Sequence, residues 1–303
     1  MYGSVCLHRS PLGGRNFESF SGDDPFLGGK LAAAYINAVQ GHGIATTIKH
    51  FAANDQETGR FVVNQIMSER CLRELHLVPF QIAIRDANPW CVMASYSKIN
   101  GVYASNNKKL LTDILRKEWG FDGMVMSDWF GVNSIVPSVD AGLDLEMPGP
   151  ARKRGKNLSD AVKLGHMEEE TLDACVRRIL QLVSFFFSQW VGGRCRSLIC
   201  HCALQIYKTG KYRYPDWVEE QEEAHDRPEH RQFLREAAAD GIVLLKNEDG
   251  FLPLSPSKLD GIKQIAFIGP NADESVAAGG GCVSLRLPEC FHRTDCLSPD
   301  PPH

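Results

Sequence analysis

Between residues 17 and 183 the apolar positions switch repeatedly between two periods. In Lys30–Gln40, Leu31, Ala34, Tyr35 and Ala38 fall at helical spacing, and Gly41 marks the end. Ile44–Ile48 is a short β-branched run that stops at Lys49 and His50. Ser68 is placed to cap a second helix running to about Arg85, with Leu72, Leu75, Phe80 and Ile84 inward; Pro79 predicts a kink or a split. Cys91–Tyr96 reads as a strand ending in Ser97-Lys98. Asn107 caps a third helix whose apolar face is Leu110, Leu111, Ile114, Leu115 and Trp119, stopped by Gly120. Two further strands are predicted at Gly123–Met126, running into Ser127-Asp128-Trp129, and at Leu143–Met147, closed by Pro148-Gly149-Pro150. Residues 160–183 read as a helix with Leu172, Val176, Ile179 and Leu180 on one face.

Helix alternating with strand at this spacing predicts βα units around a parallel sheet. In such sheets the chemistry sits at the carboxyl ends of the strands. Lys49, His50, Tyr96 and Asp128 all fall there. The pattern then changes: residues 183–205 combine three consecutive phenylalanines, a Trp, paired glycines and three cysteines, and fit neither period. Residues 207–226 are charged and aromatic, like a linker. A helix is predicted at 228–239 and strands at Ile242–Leu245 and Ile265–Ile268, the opening of a second α/β domain; after Gly281 no period remains.

At 303 residues the length favours two domains, with one large barrel as the rival. A net charge of −4 leaves no basic footprint for nucleic acid. No run of about 18 apolar residues predicts a membrane span. The first residues lack the apolar core of a signal peptide, which leaves the compartment open. The ten cysteines are scattered or bunched rather than spaced as a disulfide framework. Cys195, Cys200, His201 and Cys202 do not match a common zinc spacing, and Gly279–Gly281 is followed by no Lys-Ser/Thr. Both are weak signals for a metal or a cofactor. Asn157-Leu158-Ser159 is a sequon of the kind that arises by chance.

On residue type alone the candidates keep ordinary readings too. Asp128 could cap a turn, Lys49-His50 could form a strand-end salt bridge, and Lys49 could be a Schiff-base lysine. Arg15 could pair with Asp23 or Asp24, and Met93, Tyr96 and Trp129 could be core.

Longer motifs change the weighting. GGRNFESFSGDDPFLGGKLAAAYINAVQ, TIKHFAANDQE, VMASYSKINGVYASNNKKLLTDILRKEWGFDGMVMSDWFG and AGLDLEMPGP resemble glycoside hydrolase family 3, most of all its fungal β-glucosidases. The likeness runs from about residue 5 to 183 and resumes from 228 to 281. It implies an α/β fold: a partial (β/α)8 TIM-type barrel over 1–183, an aberrant insert and linker over 184–227, and the incomplete start of an α/β sandwich over 228–303. It implies that Asp128 is the nucleophile of a retaining β-D-glucosidase, that Arg15, Lys49 and His50 bind sugar hydroxyls, and that Met93, Tyr96 and Trp129 shape the subsite for the nonreducing end. The implied partner is a small β-glucoside or oligosaccharide, with no nucleic acid or membrane. Relatives often act outside the cell.

Such chemistry needs a carboxylate below the anomeric carbon and a second carboxyl about 5–5.5 Å away to protonate the leaving oxygen. Cations keep the nucleophile ionised, and aromatic faces hold the sugar ring. The β-xylosidases and β-N-acetylglucosaminidases of the family are the enzymatic alternatives, although AANDQE stands where the latter carry a glycine-rich loop with a histidine. A sugar-binding fragment without activity is the alternative from another class. A full barrel takes about 200 residues, so the first βα units are expected before Met1, and the acid/base glutamate beyond the last residue; Glu57 is the nearest motif carboxylate without a mapped role. Residues 183–205 are expected to be translated intron and the tail after 281 a shifted frame. An open barrel leaves strand edges unpaired, which predicts poor solubility.

Overall fold

The computed structural model describes residues 2–190 and 227–260, together with 264, 266, 268 and 269. The chain divides into two compact units, residues 1–211 and 212–303. In the first, strand β1 (Tyr2–Ser4) leads through helix α1 (Pro25–Gln40) to β2 (Thr47–Phe51). After a two-residue strand β3 (Asn64–Gln65) come helices α2 (Glu69–Cys71) and α3 (Val78–Ala87), then β4 (Cys91–Ala94). Strands β5 (Lys98–Ile99) and β6 (Val102–Tyr103) join β3 in a small side sheet. A π-helix (Lys109–Glu118) precedes β7 (Met124–Ser127), followed by α4 (Val136–Asp140), α5 (Lys156–Lys163) and α6 (Glu169–Trp190). The main sheet has the order β1-β2-β4-β7, and every pairing in it is parallel.

Period-two alternation divides the sheet's two faces. Ile48, Val92, Ala94 and Val125 join Leu110, Leu111, Ile114, Leu115 and the α1 and α3 side chains in the main core. Phe51 stands edge-on to Phe80 at 5.1 Å and to Trp119 at 5.9 Å between ring centres. Cys91, Met93, Met124 and Met126 line a second cluster, against which Ile179 and Leu182 of α6 pack. Helices α1 and α3 approach closely because Gly29 has no side chain: a Cβ there would lie 2.7 Å from Ile82 Cβ.

Several boundaries differ from the sequence expectation. Helix α1 starts five residues before Lys30, because the Asp24 carboxylate accepts the Phe26 and Leu27 N–H groups and Pro25 suits the first turn. Gly41 keeps right-handed helical angles, so it is not a left-handed stop. The strand expected at Ile44–Ile48 forms three residues later, which puts Lys49 and His50 inside β2. Pro79 splits the second helix: Ser68 caps its first turn, a π-turn spans Leu72–His76, and α3 begins at Val78. Asn107 does cap the third helix, through Leu110 N–H. The strand expected at Leu143–Met147 is reduced to one bridge, Leu145 beside Met126, since Asp144 turns its carboxylate to Val125 N–H. The helix expected at 160–183 is two helices; α6 continues to Trp190, and its inward residues are Leu172, Cys175, Ile179 and Leu182, with Val176 and Leu180 exposed.

Two carboxylates tie these loops down. The fully buried Asp144 accepts Val125 N–H at 2.8 Å, Arg116 Nη2 at 2.7 Å and Arg178 Nε at 2.8 Å, so it joins β7, the π-helix and α6. Glu146 accepts the backbone N–H groups of Arg152, Lys153 and Arg154 at 2.9–3.1 Å.

The second unit contains α7 (Pro228–Gly241) and α8 (Pro256–Leu259). Ile242–Leu245 is not a strand: a strand needs a hydrogen-bonding neighbour, and none is formed among the described residues. Ile265 and Phe267, within the other expected strand, lie outside the described residues, as do the 195–202 cluster and Gly279–Gly281. No described helix is long and apolar enough to cross a membrane.

Candidate active site

The carboxyl ends of β2, β4 and β7 and the loop after β1 bring five of the seven sequence-predicted side chains, Arg15, Lys49, His50, Tyr96 and Asp128, into one polar cluster. Successive strand residues normally face opposite ways. Here the register of β2 against β4 shifts between Ile48 and Phe51, and Lys49 and His50 both reach the cluster. The buried Cys6 thiol supports that irregular stretch by donating to His50 O at 3.1 Å and accepting His50 N–H at 3.3 Å.

Arg15 is delivered by a tight loop. Gly14 sits at φ +96° with Glu57 Cβ 3.1 Å from where a side chain would begin, so glycine is required there. A short 3-10 turn (Asn16–Glu18) then brings Glu18 back over Arg15. The Glu18 carboxylate takes Arg15 in a two-point grip, Nε at 3.1 Å and Nη2 at 2.8 Å, and Lys49 Nζ at 3.0 Å. Burial raises the Glu18 pKa, but the Arg15 and Lys49 hydrogen bonds outweigh it and hold the group below the ordinary carboxylate value.

Asp128 follows β7 directly and is 7% exposed. Its Oδ1 accepts Trp129 N–H at 2.7 Å, and Oδ2 lies 3.4 Å from His50 Nε2 without a well-formed hydrogen bond. Burial pushes the Asp128 pKa up, against the Trp129 N–H, the nearby Tyr96 hydroxyl, Arg15 and Lys49. His50 is held well below the usual imidazole value, first by burial and then by Lys49 and Arg15, so it is neutral near pH 7. Arg15 Nη1 lies 3.4 Å from His50 Nε2, the same nitrogen that faces Asp128 Oδ2. Tyr96 OH donates to Trp129 O at 2.8 Å, and burial followed by the Asp128 charge raises its pKa.

Of the other two candidates, Met93 packs in the apolar cluster with Cys91, Met124 and Met126, and Trp129 is half exposed and meets Asp128 and Tyr96 through its backbone N–H and O.

Four residues of this neighbourhood were not singled out from the sequence as site residues. Glu18 organises both cations. Glu57 meets Arg15 at 3.7 Å, Asn54 Nδ2 at 3.1 Å and Arg60, so its carboxylate is already occupied by donors. Arg60 lies over the rings of Phe61 and Tyr96, and Phe61 stacks on Tyr96 at 4.2 Å. The signal for Glu18 was its spacing: three residues after Arg15 in a turn with one face. Among the described residues no group of three or more His, Cys, Asp or Glu side chains is arranged to hold a metal ion.

Glu18→Ala is expected to destabilise the first unit by about 2–3 kcal/mol, because two largely buried cations lose their shared partner. With its folded-state pKa lowered, Glu18 contributes stability above about pH 4.5, and the contribution is lost as pH falls through the folded value. The gap between variant and unsubstituted chain, read from thermal melting, should therefore close in acid. An equal gap at pH 3 and pH 7 would refute this.

Residues 5–182 match the description "Glycosyl hydrolase family 3 N terminal domain". The chain is 48% identical over 283 residues to probable beta-glucosidase K of Emericella nidulans and 47% identical to a beta-glucosidase of Rhizobium radiobacter. Those alignments cover 93% of this chain and 30–31% of the relatives, so the chain spans about a third of their length. Among solved structures it is similar to the Kluyveromyces marxianus beta-glucosidase in complex with glucose, with a TM-score of 0.64 and 42% identity over 83% of this chain and 28% of that one. It is also similar to beta-glucosidase 3B of Thermotoga neapolitana, with a TM-score of 0.63 and 40% identity over 83% of this chain and 32% of that one. By the match over more than half of its length, the chain belongs to glycoside hydrolase family 3.

Proposed function

We propose that this chain carries the nonreducing-end sugar site and the nucleophile of a retaining β-D-glucosidase, on a sector of a (β/α)8 barrel occupying residues 1–183. The observation that carries the reading is the buried Asp128 carboxylate at the end of a parallel strand, with Oδ2 3.4 Å from His50 Nε2 and within reach of the Arg15 and Lys49 charges. A carboxylate so placed attacks an anomeric carbon. Arg15, Lys49 and the neutral His50 bind sugar hydroxyls, and Tyr96 and Trp129 give the ring its apolar face. Residues 228–303 open the α/β sandwich on this reading, and 184–227 connect the two. The names of the relatives and their glucose complex support glucose as the sugar over xylose or N-acetylglucosamine.

The test uses a substrate that needs no acid. With 2,4-dinitrophenyl 2-deoxy-2-fluoro-β-D-glucoside, an Asp128 oxygen bonds to C1 as the C1–O bond breaks, and dinitrophenolate leaves with the electron pair. Intact-mass spectrometry should show one added fluoroglucosyl group, mapped to the peptide containing Asp128. No adduct, or one on another residue, overturns the proposal.

A further inference from the structure

We propose that Phe61 is a positioning residue for the glycosyl transfer: its ring covers Tyr96 and so steadies the turn that presents Asp128. The inference rests on the glucosidase reading and deepens it at the same site.

The side sheet sets these two residues together. Strand β3 pairs with β5 in parallel, Asn64 beside Lys98 and Gln65 beside Ile99. Phe61 and Tyr96 lie just before the two strands, so the parallel register brings their incoming loops side by side. The rings meet at 4.2 Å between centres, with 43° between their planes. Arg60 backs the contact. Its guanidinium lies 5.3 Å from the Tyr96 ring centre and 5.4 Å from that of Phe61, and Glu57 holds it in an ion pair. The loop is closed by Gly59, at φ +63°, whose carbonyl accepts both the Val62 and Val63 N–H groups at 2.9 Å. Phe61 is 47% exposed, whereas Tyr96 is 5% exposed. Core packing therefore does not account for the place of Phe61; the contact with Tyr96 does.

Tyr96 in turn holds the nucleophile's turn. Its OH donates to Trp129 O at 2.8 Å, and Trp129 N–H donates to Asp128 Oδ1 at 2.7 Å. The peptide groups on either side of Trp129 are thus fixed, one by Tyr96 and the other by Asp128. The Tyr96 hydroxyl also lies beside the Asp128 carboxylate. A Tyr96 ring free to tilt would loosen these links and admit water to the carboxylate. An aromatic partner resists that tilt, and excluding water strengthens every contact made to the reacting charge.

The experiment follows adduct formation from saturating 2,4-dinitrophenyl 2-deoxy-2-fluoro-β-D-glucoside across pH, for the full chain, Phe61→Ala and Phe61→Tyr. In Phe61→Ala the rate should fall about five-fold, the size of one aromatic contact. Its acid limb should move to lower pH, because burial is what raises the Asp128 pKa and water now reaches the group. The groups that face Asp128 are His50 and Lys49 from β2, Arg15 from the loop after β1 and Tyr96 from the loop after β4. None of them is altered by the substitution, so a moved limb reports hydration, which a merely structural role would not change. Phe61→Tyr keeps the ring and should match the parent in both rate and limb. Where Phe61→Ala fails to fold, Phe61→Leu, apolar but not flat, takes its place with the same expectation. A rate within about two-fold of the parent, an unmoved limb, or a Phe61→Tyr as slow as Phe61→Ala overturns this inference alone. If the unsubstituted chain forms no adduct, the glucosidase reading is overturned and the inference with it.

Discussion

Asp128→Ala should cut dinitrophenolate release from an activated β-glucoside by on the order of 10⁴-fold, the scale set by removing a nucleophile that nothing nearby replaces. The neighbours explain why no substitute steps in. His50 is neutral and shares its Nε2 with Arg15, while Glu18 and Glu57 are occupied by cations. The same carboxylate should be a cost to the fold. Burial raises its folded-state pKa above the unfolded value, so stability is greatest where the group is protonated and falls as pH rises through the folded pKa. Asp128→Asn, which keeps the shape without the charge, should therefore melt higher than the parent chain at pH 7, with the advantage vanishing below about pH 3.8. Stopped-flow release and melting curves for the two variants check both halves. A residual rate within ten-fold of the parent would remove Asp128 from the chemistry.

Asp144→Ala should cost about 3–5 kcal/mol, the largest stability loss of any single substitution on the first unit's loops. The carboxylate is fully buried and answers two guanidinium groups and a strand N–H at once. Removing it leaves Arg116 and Arg178, both largely buried, without their shared partner, and a broken buried ion pair is expensive. It also releases Val125 N–H, and with it the end of the strand that carries Asp128. Urea unfolding followed by tryptophan fluorescence reads the effect. Asp144→Ala combined with Arg178→Met should recover part of the loss, because one unpaired charge goes with it. A loss below 1 kcal/mol would show that water reaches the pair.

The helices that touch water on one side and the short strands β4 and β7, buried on both faces, were legible in the sequence. Leu110, Leu111, Ile114 and Leu115 announced their helix by spacing alone, and all four are buried. Asn107 and Ser68 announced their caps by side-chain chemistry. The errors came where two local signals competed. At 44–51 the β-branched residues pulled the expected strand three positions early, since pairing with β1 and β4 rather than propensity fixes where β2 begins. At Leu143–Met147 an apolar run concealed Asp144 and Glu146, two carboxylates that spend the segment on loop anchoring. The site followed the same rule. Strand ends pointed to Lys49, His50, Tyr96 and Asp128, whereas Glu18, Glu57 and Arg60 each add to their near neighbours a partner far along the chain, Lys49, Arg15 and Tyr96, which local spacing does not reveal.

The thiol of Cys6 has a chemical consequence for the sugar end of the site. Its pKa is pushed up to about 12 by burial, the Asp55 charge adding to the rise, so the thiol stays protonated at pH 7. Oxidants and alkylating reagents act on that form. The link that fixes His50 is thus chemically silent while the chain is folded, and becomes reactive only when β1 parts from β2.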